Sequence, residues 1–155
     1  MSKRKKILLG FLLLLVAIQF IQPGHNTSKQ AQPADISRIF SAPENVQAVL
    51  HKACYDCHSN NTHYPWYSSI QPGGWIMAWH IRQGKQQLNF SEFGTMSSRK
   101  EDRKLGEAVN QIKHGDMPLA SYRMLHREAA LSDTEKLLII DWMYQMKYNL
   151  SINRN

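Results

Sequence analysis

The chain has 155 residues, two cysteines, seven histidines and a formal net charge of +7. That length allows one domain, or one domain with a tail. Ordinary Gly (8) and Pro (6) content with 43% hydrophobic residues excludes collagen-like, coiled-coil and low-complexity chains. Two cysteines exclude a multi-bridge disulfide scaffold and a four-cysteine zinc or iron–sulfur site.

The charge is concentrated at the N-terminus. Lys3, Arg4, Lys5 and Lys6 are four of the nineteen basic residues, and from residue 7 onward the excess is only +3. No nucleic-acid partner is expected of so mild a balance. Behind this basic cluster, residues 7–21 are apolar except for Gly10 and Gln19, and Pro23-Gly24 stops the run. A basic cluster before an apolar run is the layout of a signal sequence or signal anchor. Fifteen helical residues reach about 22 Å, short of the ~30 Å hydrocarbon core. No small-x-small cleavage site follows, so the expectation is an uncleaved transmembrane anchor over residues 1–23, its Lys side chains snorkelling. No cysteine follows the run either, which excludes a lipoprotein anchor. The positive-inside rule then exports the remainder. The expected location is the bacterial inner membrane, single-pass with the domain facing the periplasm. The alternative is a soluble periplasmic protein after cleavage. Residues 24–34 are polar and read as a linker.

Residues 35–150 have helical rather than strand character. Ser41-Ala-Pro-Glu44 predicts a capping box, followed by Val46, Val49, Leu50 and Ala53 at helical spacing. Residues 60–74 form a loop rich in Pro, Gly, Ser and aromatics. A helix is predicted from residue 75 to about 87, then a second aromatic loop over 89–95. Ser98 and Glu101 predict another box, ahead of a stripe of Leu105, Ala108, Val109 and Ile112 that Gly115 terminates. Ser132 and Glu135 predict a third, opening a strongly apolar last helix. The fold class expected is all-α: a small bundle with long aromatic-rich loops.

The main chemical signal is Cys54-Tyr-Asp-Cys57-His58. C-x-x-C-H is the attachment motif of c-type haem. One helical turn brings both sulfurs to the same side for thioether bonds to the haem vinyl groups, and the adjacent imidazole meets the iron. A redox dithiol would want a βαβ context, which is absent. A disulfide between cysteines three apart would constrain little chain. A zinc site from Cys54, Cys57 and His58 lacks a fourth ligand at zinc spacing.

A six-coordinate iron needs a second axial ligand. Met117, in the loop sequence Gly115-Asp-Met-Pro118, is the leading candidate, since a thioether ligand raises the reduction potential. His80 is the rival, and an open distal site is the third possibility. Trp66, Tyr67, Trp75 and Trp79 would line a haem crevice or simply pack in the core.

With these residues in view the chain resembles the bacterial haem-binding domain family, which is related to small mono-haem c-type cytochromes and often sits behind a single N-terminal membrane anchor. The resemblance runs from about Val46 to Trp142. It rests on ACYDCHSNNTHYPWY (53–67), Trp75 with WHIRQG (79–84), LNFSEF (88–93), GDMPLASY (115–122) and LSDTEK with DW (131–142). Phe93 stands where the family often has Trp, and Ala120 where it often has Pro. The resemblance implies a cytochrome c-like bundle wrapped around one covalent haem, held through Cys54 and Cys57. It implies His58 as proximal ligand and, by analogy with small cytochromes, Met117 as distal ligand. The function expected is single-electron carriage between redox partner proteins at the periplasmic face of the membrane, without enzymatic turnover. The competing expectations are a haem-based sensor or peroxide- or gas-reactive protein with an open distal site, and a non-haem thiol or interaction module.

Overall fold

The computed structural model describes residues 2–152. The described residues fold into helices α1 (Lys3–Ile18), α2 (Ile36–Ile39), α3 (Glu44–Ala53), α4 (Tyr55–His58), α5 (Gly73–Gln87), α6 (Ser98–His114), α7 (Ala120–Leu125) and α8 (Asp133–Ile152). Short 3-10 turns stand at Trp66–Ser69, Phe90–Thr95 and Arg127–Ala129. No strand forms among the described residues, where an isolated antiparallel bridge pairs Thr27 with Asn61. The all-helical expectation therefore stands.

The core follows from the apolar stripes. Leu105, Val109 and Ile112 of α6 pack with Ile139, Ile140, Met143 and Met146 of α8, and Val46, Val49 and Leu50 of α3 complete the cluster. Phe90 and Phe93 close it from the turn after α5. Full burial of each such side chain stabilises the fold by about 1.5–3 kcal/mol.

Of the three predicted capping boxes, one forms. Glu135 accepts from Ser132 N and Oγ, both at 2.9 Å, and its own N–H donates to Ser132 Oγ at 3.3 Å. At α3 the chain is still turning out of α2: Ser41 has φ 45°, Ala42 N donates to Ser37 O, and the helix starts only after Pro43. At α6 the first helical residue is Ser98 itself, and Glu101 faces inward.

The N-terminal segment corrects the membrane expectation. No described helix is long and apolar enough to cross a membrane. α1 has 16 residues, about 24 Å of axis, and begins with its four basic side chains. It stops at Ile18 because Gln19 turns to bond the domain. Gln19 Nε2 donates to Gln71 O (3.1 Å) and Gln71 N donates back to Gln19 Oε1 (2.9 Å). This overturns the transmembrane signal anchor over residues 1–23 and, with it, the single-pass inner-membrane placement. Residues 24–34, expected as a linker, lie along the domain. Asn26 Nδ2 donates to Ser59 O (2.8 Å) and Thr62 Oγ1 (2.9 Å), and Ser28 N donates to Asn60 O (3.0 Å).

Candidate functional site

α3 ends at Ala53, and Cys54 breaks the helix at φ −126°, ψ −44° before the single turn of α4. Cys57 N and His58 N both donate to Cys54 O, at 3.2 and 3.0 Å. The intervening side chains tie this turn down on two sides. Tyr55 is buried and its hydroxyl donates to Asp35 Oδ1 at 2.6 Å. Asp56 accepts from His63 N (2.9 Å) and from the Tyr122 hydroxyl (2.7 Å), and its carbonyl accepts from Thr62 Oγ1 (2.6 Å).

Two features fix His58 itself. Its Nδ1 lies 2.9 Å from Leu88 O. A carbonyl accepts only, so Nδ1 carries the proton and Nε2 keeps a free lone pair, the form that ligates a metal. Burial holds the imidazole below its ordinary pKa, against opposing hydrogen bonds to Leu88 and Gly84, and so favours the neutral ring. α5 can approach this turn because Gly84 has no side chain: a Cβ there would stand 2.5 Å from Cys57 O.

A cavity of about 380 Å³ opens beside this turn. Cys54 and His58 form one wall, with Leu88 and Phe90 beside them. Ala108 and Ile112 of α6 form the other, closed by Leu131 and Met143. Met117 reaches the same cavity from the loop after α6. That helix ends because Gly115 adopts φ 75°, the left-handed region that favours glycine. Asp116 N and Met117 N then both donate to Gln111 O, at 3.0 and 3.3 Å, which curls the loop back over the cavity.

The structure thus brings Cys54, His58 and Met117 to one cavity. Cys57 stands on the same turn but packs toward Gly84 and does not line it. His80 is half-buried against Trp79, with ring centroids 5.0 Å apart, and lies outside the lining. Trp66, Tyr67, Trp75 and Trp79 also lie outside it. Trp66 is 81% exposed, Trp75 Nε1 donates to Ile21 O at 2.8 Å, and the Tyr67 hydroxyl bonds His126 Nε2. Sequence reasoning passed over Leu88, Phe90, Lys104, Leu131 and Met143 as lining residues. The α6 stripe did carry a signal, because Lys104 falls one turn before Ala108 on the same helix face.

No disulfide joins Cys54 to Cys57. Burial, then the neighbouring Cys57 charge, pushes Cys54 up to about 12; burial, then Asp56, pushes Cys57 up to about 11. Both shifts disfavour the thiolate that dithiol redox chemistry needs. Among the described residues, no three His, Cys, Asp or Glu side chains converge to hold a metal ion. A mainly apolar cavity lined by one imidazole and by the thioethers of Met117 and Met143, with Lys104, Glu107 and Gln111 along its α6 side, suits a flat apolar ring with an anionic edge. The residues present fit haem.

The fold is a small all-helical domain with a mainly apolar cavity beside the Cys54–His58 turn. The model of the haem-binding domain family matches residues 13–145, and the chain belongs to that family. It binds haem. No curated protein and no solved structure matches the chain.

Proposed function

We propose that the protein is a mono-haem c-type cytochrome that carries single electrons between redox partner proteins in the periplasm. The observation that supports this reading is the shared cavity of His58, with Nε2 free, and Met117. In this reading Cys54 and Cys57 hold the haem through thioethers, His58 is the proximal ligand and Met117 the distal one. The bound haem supplies iron that alternates between ferric and ferrous states. The chain's part is to hold both axial positions in both states. The Leu88 carbonyl keeps the imidazole oriented, and the apolar wall of Ala108, Ile112 and Met143 keeps water from the ring. Rigid ligands limit reorganisation on electron transfer. Burial and a thioether ligand set the potential high relative to a bis-histidine site.

The test is optical. Protein produced with the cytochrome c maturation machinery is expected to show the weak far-red methionine–iron band in its ferric form, a reversible one-electron titration, and no binding of carbon monoxide when ferrous. Rapid stoichiometric carbon monoxide binding would contradict it and point to an open distal site.

A further inference from the structure

Lys104, on the α6 face that lines the cavity, is 9% exposed, a depth that lysine reaches only when paired. Its Nζ donates to Glu107 Oε2 at 2.7 Å. That carboxylate is already engaged, because Arg103 Nη1 donates to Glu107 Oε1 at 2.6 Å. Two cations thus share one carboxylate, and of the three side chains Lys104 and Glu107 line the cavity. Glu107 is also the more solvated partner, with its side chain 46% exposed against 10% for Lys104. Lys104 lines the cavity while its Nζ meets a solvated carboxylate one turn away, a contact weak enough for an anionic ligand in the cavity to replace.

A ligand that suits the cavity is apolar over most of its surface and anionic at one edge. Haem is such a molecule, with two propionates on one side of an apolar ring. The spacing along α6 agrees. Lys104 precedes Ile112 by eight residues, about 12 Å of helix axis, and Met117 enters beyond that end. The cation and the methionine thus stand at opposite ends of one wall.

We infer that Lys104 is the positioning cation for a haem propionate, exchanging its contact with Glu107 for the propionate carboxylate when haem is bound. This rests on the haem reading above. It adds two consequences: Lys104 selects which edge of the ring faces α6, and its charge favours the ferrous state.

The experiment uses matured holoprotein, after its haem content has been verified by haemochrome assay. A water-soluble carbodiimide activates a carboxylate, which the touching amine then attacks to form an amide while the carbodiimide leaves as its urea. The expected product is the haem-bearing peptide of residues 54–58 joined to the peptide containing Lys104. Coupling of Lys104 to Glu107 alone, or no coupling, overturns the inference. Lys104→Met, which keeps length without charge, should lower the reduction potential, and Lys104→Arg should restore it. An unchanged potential in haem-loaded K104M overturns the inference as well. Absence of haem from the wild-type protein is a different result, since it removes the haem reading itself.

Discussion

On one side of the cavity, Cys54 and His58 share a single turn whose neighbours are all tied: Tyr55 to Asp35, Asp56 to Tyr122, and His58 to the Leu88 carbonyl. On the other side, Met117 stands in a loop held by two backbone N–H groups on one carbonyl of Gln111. The first wall is held by side-chain hydrogen bonds; the second is apolar packing with a loop at its end. On the proposed reading, the proximal side depends on polar geometry near the motif, and the distal side on the α6 core and on where the helix stops.

The most damaging change to the first wall is Cys54→Ser with Cys57→Ser, which should abolish covalent haem completely by denaturing gel with haem stain. Retained covalent haem would break the assignment of both thiols. In the second wall, Leu105→Ala empties a fully buried position at the α6–α8 contact. It should cost about 2–5 kcal/mol in denaturant unfolding while leaving the haem covalently attached. Gly84→Ala returns to the first wall from outside. Its Cβ would meet Cys57 O at 2.5 Å, so α5 must shift, at a cost of about 1–3 kcal/mol. A neutral result would show that the turn gives way easily. Met117→Ala should remove the ferric far-red band and open ferrous haem to carbon monoxide, with little loss of stability. His80→Ala, distant from the cavity lining, should leave both unchanged.

The smallest effect lies at Glu135, where α8 meets α3 through Lys52. The Lys52 ammonium, then Ser132 N–H, holds this carboxyl down at about 2. Its contribution is full above the ordinary carboxylate value and is lost as pH falls toward about 2. Glu135→Gln should therefore melt lower than wild type by up to about 1 kcal/mol at neutral pH, and the gap should close in strong acid. A gap that persists there would mean the box, and not the charge, holds α8.

These contrasts also explain what the sequence reveals. The proximal turn is legible because its chemistry is local: five consecutive residues carry thiols, imidazole and spacing. That Met117 stands in a loop at the cavity is legible because Gly115 marks a helix end there. The lining is not, since Leu88, Leu131 and Met143 come together only by packing of distant segments. Aromatic residues near the motif misled for the same reason. Trp66 and Trp79 lie close in sequence to Cys54 but point to solvent, at 81% and 58% exposure. The N-terminal run misled through its hydropathy. Composition indicates a spanning helix, whereas Gln19 and Gln22 end it by bonding Gln71 and Ser69, long-range contacts that no local pattern encodes.

The most direct test of the account is a denaturing mass spectrum of matured protein, paired with its pyridine haemochrome. The account predicts the polypeptide mass plus one haem, retained after unfolding, with the band of a haem whose two vinyl groups are both consumed and with peptides mapping both thioethers to Cys54 and Cys57. Haem that leaves on denaturation, or a mass without haem in folded protein, would contradict it.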